Sequence, residues 1–303
     1  MSLFELESFR KCSFLVNLLS EMYEQYQIWI KEHPFDHRGF TWENKINSCL
    51  ITSNFPIDEW SFGDLIWSKF KLTDNAGKVL LEGNEPFGCI ATDMGGNAYL
   101  VFRGSKSLKD FSSDAQMANI QYEVPSQKKG VRNLFVEKGF YSVYAGLRDD
   151  LHVQLSKLLP STKLLTITGH SLGSALATLA VPDAVYLGFN VKNYNTASPR
   201  VGLEAFKEYY ESLQVEAGNI PGCLKTIRVV NEDDSVPTLP PIILGYQHIG
   251  VAYGFNANYD NDEGHNHDPC CSYAYAIEHP DKPCNPNYGE CNFKSHLDMV
   301  WPK

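Results

Sequence analysis

Gly169-His170-Ser171-Leu172-Gly173 sets a serine between two glycines, each two residues away. The apolar run Leu164-Leu165-Thr166-Ile167-Thr168 precedes it, and the small-residue run Ser174-Ala175-Leu176-Ala177-Thr178-Leu179-Ala180 follows. This is strand, tight turn and helix, the context in which G-x-S-x-G forms a nucleophile elbow. The elbow strains the serine backbone by about 1–3 kcal/mol and holds Oγ out at the edge of the sheet. Glycines on either side keep Cβ atoms from colliding where strand and helix nearly touch. The implied chemistry is acyl transfer on Ser171. A five-residue pattern with three fixed positions also arises by chance, so a base, an orienting acid and an oxyanion hole must be found elsewhere.

Where such an elbow operates, the chain order is Ser, then Asp or Glu, then His. The acid should lie just beyond a strand's carboxyl end. The apolar run from Leu224 to Val230 leads into Asn231-Glu232-Asp233-Asp234-Ser235-Val236-Pro237, which offers Asp233 and Asp234. The later histidines are His248, His265, His267, His279 and His296. His265 and His267 lie in the polar stretch His265-Asn266-His267-Asp268-Pro269 and read as surface loop, and His279 precedes a proline in a similar setting. Position leaves His248 and His296 as alternatives for the base. The oxyanion hole needs the amide of Leu172 and a second donor. Arg103-Gly104-Ser105, after the strand Ala98 to Phe102, offers exposed amides and a hydroxyl, although an ordinary strand-end turn would look the same.

The elements that must position these residues follow from periodicity. Residues 4–32 carry apolar side chains at helical spacing, which predicts one or two helices. Residues 36–68 mix turn and aromatic types and give no assignment. Phe70 to Leu72, Val79 to Glu82, Gly88 to Asp93 and Asn97 to Phe102 read as short strands, with Gly77 and Gly95-Gly96 at hairpin turns. A helix is predicted over 139–159, another from the elbow to about Leu187, and a third over 203–213; strands are predicted over 191–196 and 224–230. Beyond Val236 the chain is rich in Pro, Gly, Asn and Asp, so irregular loops should dominate. Alternation of this kind predicts a largely parallel sheet flanked by helices.

Composition bounds the partners. With 303 residues, 43% hydrophobic and 20% charged, the chain is of ordinary globular make-up and can bury a sizeable core. A net charge of −10 disfavours nucleic acid and an electrostatic grip on anionic membranes. Weak adsorption to lipid through apolar loops stays open. No apolar run is long enough for a transmembrane helix, and the N-terminus does not read as a signal peptide. Cys270, Cys271, Cys284 and Cys291 crowd the C-terminal part, where disulfides would staple loops; the other four cysteines are scattered as buried thiols would be. The sequence holds no N-x-S/T acceptor, which leans the localisation toward intracellular, although a mature secreted chain would also lack a signal. Asp260-Asn261-Asp262-Glu263-Gly264 lacks the register of a calcium loop. No metal or cofactor is implied, although His265, His267, Cys270 and Cys271 form a group to test for zinc.

Taken in order, these motifs resemble the class 3 lipases, the filamentous-fungal triacylglycerol lipase group of the α/β-hydrolase fold. Val101 to Ser105 resembles the family's oxyanion segment, and Ser107-Leu108-Lys109-Asp110-Phe111 falls where the family carries its lid. Lys138-Gly139-Phe140 through Tyr144 is similar to its helix entry, Gly169 to Gly173 to its elbow, and Ala197 to Gly202 to its PRVG segment. Asn231 to Pro241 resembles its acid loop, which selects Asp234. His248-Ile249-Gly250 resembles a second motif that helps wall the site, and the family's base near the C-terminus selects His296. The resemblance implies Ser171, Asp234 and His296 as the triad, Ser105 and Leu172 as oxyanion donors, and Leu108, Phe111, His170 and His248 as pocket or lid. It covers roughly residues 85–300 and implies one domain over 1–303, with 1–68 as an N-terminal extension packed on it. The substrate implied is an acyl-ester lipid, met in transient contact with a lipid interface. Phospholipase A1 and feruloyl-type esterase activities share the triad, and a lipase-like binding or signalling protein would share the fold. Two departures stand out: the family often has a tyrosine soon after its histidine, whereas Leu297-Asp298-Met299 follow His296, and residues 256–292 align with nothing in the family.

Overall fold

The apolar run before the serine lies inside the main sheet, and its neighbours explain its composition. The computed structural model describes residues 3–43, 55–74, 76–105, 118–125, 133–158, 164–216, 225–259 and 262–281. Along the chain these form α1 (Leu3–Glu32), β1 (Trp60–Phe62), β2 (Ile66–Thr73), β3 (Val79–Asp93), β4 (Ala98–Phe102), β5 (Asn119–Gln121), β6 (Phe135–Glu137) and α2 (Lys138–Leu158). There follow β7 (Leu164–His170), α3 (Leu172–Tyr186), β8 (Asn190–Thr196), β9 (Gly202–Leu203), α4 (Glu204–Glu216), β10 (Lys225–Asn231), β11 (Tyr246–Gln247) and β12 (Val251–Phe255). The described chain closes with α5 (Glu263–Asn266), a π-helical turn (Pro269–Ala274) and α6 (Tyr275–Glu278).

The main sheet has eight strands in the order β1-β3-β4-β7-β8-β10-β12, with β2 also paired to β3. From β4 onward every pairing is parallel; β1, β2 and β4 meet β3 antiparallel. Strand β7 is covered on both faces and buried from Leu165 onward, hence its continuous apolar run. A second small sheet, β11-β9-β6-β5, is antiparallel where its strands pair. Strands β6 and β9 immediately precede α2 and α4, helices that return against the parallel strands. The small sheet therefore lies at the strands' carboxyl end, the end that carries Ser171.

Two cores face each other across the main sheet. One packs Ala98, Leu100, Phe102, Leu165 and Ile167 against α2, α3 and α4. The other packs Tyr99, Val101, Tyr194, Ile227 and Val229 against α1, Tyr273 and Ile277. The period-2 division of β4 between them is the alternation of a strand buried on both sides. Helix α1 buries Phe9, Leu15, Leu19, Met22 and Tyr26 on one long stripe, so residues 4–32 form one helix. Helix α3 is buried from Leu172 to Ala184, which explains its small apolar sequence. Glu137 starts α2 by accepting the amides of Gly139 and Phe140 at 2.8 and 2.6 Å.

The structure departs from the expectations in three places. Val79 to Glu82 and Gly88 to Asp93 are one long strand, β3. The small sheet's two- and three-residue strands leave no periodic signal. The region past Val236 holds an edge strand, two short helices and a π-helical turn; its turn-forming residues cap these elements. Asp262 accepts the amide of His265, and Asp268 accepts those of Cys270 and Cys271.

Candidate active site

Ser171 occupies the turn between β7 and α3 with φ 58° and ψ −127°, a region L-residues rarely adopt. Its neighbours hold it there. The Ser171 amide donates to the Thr196 carbonyl at 3.1 Å, and the Ser171 carbonyl accepts from Ser174 N and Ala175 N and from the Ser174 hydroxyl. A Cβ on Gly169 would lie 2.2 Å from Gly173, and one on Gly173 would lie 2.4 Å from the Phe102 carbonyl oxygen. Only glycines let β4, β7 and α3 approach this closely. Ser171 Oγ is buried and has no hydrogen-bond partner among the described residues.

The turn after β4 lies against the elbow. A Cβ on Gly104 would lie 3.5 Å from Ser171 Cβ. Arg103 anchors this turn from below. It is buried, donates to Pro86 O at 2.7 Å and to the Gly104 carbonyl at 2.8 Å, and pairs with Glu85. Its guanidinium lies 3.4 Å from the Tyr23 ring centroid and 4.0 Å from that of Phe87, so α1 also supports the turn. Ser105 follows directly. Leu172 opens α3, where amides have no intrahelical acceptor and helix polarity favours an anion.

Asp234 follows β10 and is buried. Its Oδ1 accepts the Val236 amide at 2.9 Å, and its Oδ2 accepts the Tyr273 hydroxyl at 2.6 Å. The same Oδ2 lies 2.7 Å from Nδ1 of His267. Asp233, the alternative, has a side-chain contact to Asn258 at 3.4 Å and no imidazole among the described residues. His267 Nε2 is buried and has no partner among the described residues, like Ser171 Oγ. The His267 ring centroid lies 4.6 Å from that of His170, the residue before the serine.

His267 thus corrects the surface-loop reading: it is 7% exposed. Its polar neighbours are polar because they are stitched into the interior. The Asn231 side chain donates to Ala257 O and Asn266 O and accepts from Ala257 N. The Asn266 side chain accepts from Tyr259 N and donates to Asp233 O. Two buried amides therefore tie the acid loop to the histidine loop. The missed signal was Tyr273, six residues after His267, which supplies the tyrosine that the sequence near His296 lacks. His296 lies outside the described residues, as do Leu108 and Phe111.

The remaining candidates separate. His170 donates or accepts at Thr196 Oγ1, 3.0 Å away; burial, then the neighbouring His267, holds its pKa well below 6.5, so it stays neutral. His248 holds the acid loop, with Nε2 2.9 Å from the Pro237 carbonyl oxygen. Burial, with Arg228 and Arg200 nearby, lowers its pKa to about 3, so Nε2 carries the proton and donates. The suggested zinc group does not form a donor set: Cys270 is in a disulfide, Cys271 is buried, and His267 gives Nδ1 to Asp234. No cluster of metal-ligating side chains occurs among the described residues, and no described helix is long and apolar enough to cross a membrane.

Residues 99–244 match the family model for lipase (class 3). A lipase from Rhizomucor miehei is 34% identical over 168 residues, 53% of this chain and 42% of that protein's length. The secreted mono- and diacylglycerol lipase A of Penicillium cyclopium is 34% identical over 239 residues, 76% of this chain and 69% of the relative. The solved structure of Rhizomucor miehei triacylglyceride lipase superposes with a TM-score of 0.56 at 25% identity, covering 84% of this chain and 81% of that one. The fold is that of the α/β-hydrolases, and the chain belongs to the class 3 lipases, a family of serine carboxylic ester hydrolases.

Proposed function

We propose that the protein hydrolyses acyl esters of lipids through an acyl-enzyme on Ser171, with His267 as the base in place of His296 and Asp234 as the orienting acid. One observation carries this reading: His267 gives Nδ1 to Asp234 and keeps a buried Nε2 with no partner among the described residues, while Ser171 keeps a buried hydroxyl likewise without one, next in the chain to His170, whose ring lies tilted against that of His267 at 4.6 Å. Ser171 Oγ attacks the ester carbonyl, and its proton passes to His267 Nε2. The bond to the alcohol breaks as that alcohol takes the proton back from Nε2. Water then attacks the acyl-enzyme and gives its proton to Nε2; the bond to Ser171 Oγ breaks as Oγ takes that proton back, releasing the acid and restoring Ser171 and a neutral His267. Asp234 fixes the Nδ1–H tautomer and balances the imidazolium. His170, held neutral, adds no charge beside it. The amides of Leu172 and Ser105, with the Ser105 hydroxyl, would receive the oxyanion; losing one such donor typically raises the barrier by about 2.7–4 kcal/mol.

The test is fluorophosphonate labelling of the folded protein, with the adduct located by mass spectrometry, alongside hydrolysis of p-nitrophenyl esters of rising chain length. Ser171 should carry the label, and His267→Ala should lose it. Labelling that survives His267→Ala but fails in His296→Ala would return the base to His296. An unlabelled folded wild type would favour a lipase-like binding protein. The ester series distinguishes a lipid preference from a feruloyl-type preference for short or aromatic acyl groups.

A further inference from the structure

Just past the acid loop, Ile242, Ile243 and Leu244 form a single 3-10 turn, and all three face solvent at 62%, 89% and 50% exposure. The other exposed large apolar side chains among the described residues stand singly along the chain, at Ile28, Phe35, Val79, Met94, Val153, Leu164, Tyr186 and Val251. A run of three is different in kind. Its turn is braced: Leu244 N donates to Pro241 O and Gly245 N to Ile242 O, at 3.0 and 2.9 Å. Pro240 and Pro241 stiffen the entry, and Gly245, at φ 86°, turns the chain into β11. Strand β11 is pinned to β9, so the turn is mounted on the small sheet, at the same end of the molecule as Ser171.

Arg200 stands at the base of this knob. Its amide donates to Leu239 O at 2.7 Å, and its Nη1 donates to Pro240 O at 2.9 Å and to Thr238 O. It makes no ion pair with any carboxylate among the described residues. A chain of net charge −10 thus keeps, beneath the most exposed aliphatic run of the described residues, a cation that no described carboxylate pairs.

From this juxtaposition we propose that Ile242-Ile243-Leu244 is a lipid-surface anchor, with its side chains set among acyl chains and Arg200 at the level of headgroup phosphates. The surface it fits is a zwitterionic phospholipid layer. Aliphatic insertion supplies the affinity, the local cation meets phosphate, and the overall negative charge works against strongly anionic layers. The anchor delivers ester substrate to the serine and so takes its purpose from the hydrolase reading above, but it does not depend on which residue is the base.

The test is sedimentation of the full chain with phosphatidylcholine vesicles, comparing wild type with Ile242→Ser/Ile243→Ser. Both positions are exposed, so p-nitrophenyl butyrate turnover in the absence of lipid should be unchanged; this control reports on the catalytic reading separately. The partition coefficient should fall by about tenfold or more, from the apolar area withdrawn from lipid, and hydrolysis of an ester carried in the vesicles should fall with it. Replacing part of the phosphatidylcholine by phosphatidylglycerol at low salt should weaken binding. Wild type remaining in the supernatant, or the double variant sedimenting like wild type, would overturn the proposal. So would tighter binding to the anionic vesicles. Light scattering that shows a dimer abolished by the double substitution would assign the knob to a second copy of the chain instead.

Discussion

Asp183 and Asp234 are both buried, and each is held by a tyrosine hydroxyl and a histidine nitrogen, yet they are built for different ends. Asp183 lies within α3, behind the serine. It accepts from Tyr144 and from Arg148 Nε and Nη2 at 3.1 Å, and it lies 2.5 Å from His152 Nε2. Its negative charge is met by a full cation, and burial beside that carboxylate keeps Tyr144 protonated. Asp234 has the Tyr273 hydroxyl, the Val236 amide and His267, but no arginine or lysine among the described residues. On the proposed reading its charge is left for an imidazolium that exists only during reaction. The histidines differ in the same sense: the His152 side chain is 36% exposed, whereas His267 is buried with one nitrogen unpaired. Similar residue types brace the fold where the charges are closed off, and on the proposed reading they carry a proton where one hydrogen-bonding position is left open.

This contrast breaks most sharply at the histidines. His267→Ala should lower kcat toward p-nitrophenyl butyrate on the order of 10⁶-fold, while His152→Ala and His296→Ala should leave it near wild type. Equal losses at His152 and His267 would end the distinction. The aspartates come next. Asp234→Asn should lower kcat by about 10⁴-fold at little change in stability, because the amide can hold His267 in the wrong tautomer. Asp183→Asn should do the reverse. It leaves Arg148 facing a neutral group in the interior and should lower the urea unfolding free energy by about 3 kcal/mol, with kcat per folded molecule unchanged.

Legibility in the sequence followed the same line between local and long-range determination. Ser171 and its two glycines are contiguous, and the strand-turn-helix that strains the serine is written within about twenty residues. The helices α2, α3 and α4 carried apolar stripes or small-residue runs that periodicity detects. Asp234 needed the surrounding acid-loop pattern to separate it from Asp233. His267 was hidden because a polar stretch was equated with exposure. Its burial depends on Asn231, thirty-six positions earlier, and on Tyr273, whose hydroxyl meets both Asp234 and the Asn231 amide. No window along the chain contains that information. The small sheet was hidden for another reason: strands of two or three residues carry no period.

Smaller effects sharpen the comparison at the tyrosines. Tyr273→Phe removes one donor from Asp234 while keeping the ring that packs at 5.2 Å from His170. A hydrogen bond to a charged group contributes about 1.5–3 kcal/mol. Because Val236 and His267 remain on the carboxylate, kcat should fall by only about tenfold, near the low end of that range, at unchanged KM. Tyr144→Phe should leave kcat alone and shift only the unfolding midpoint. A kcat loss at Tyr144 matching that at Tyr273 would mean that Asp183 communicates with the serine through α3.

The smallest effect concerns the third histidine of the region, His248, whose proton on Nε2 is committed to Pro237 O. Burial, helped by Arg228 and Arg200, depresses its folded-state pKa from 6.5 to about 3. Between those values the unfolded chain binds a proton that the folded chain refuses, so His248 lowers stability as pH falls from about 6.5 toward 3. His170, depressed in the same direction, acts alike. His248→Gln keeps an N–H for Pro237 and removes the titration. Urea unfolding at pH 7, 6 and 5 should therefore show a shallower acid loss for the variant than for wild type, by up to one proton taken up on unfolding. The pH dependence of kcat/KM should stay where it was, because the proposed mechanism gives the proton of catalysis to His267. Identical stability slopes for variant and wild type would mean that His248 charges freely in the folded protein and that its hold on the acid loop is not that of a neutral ring.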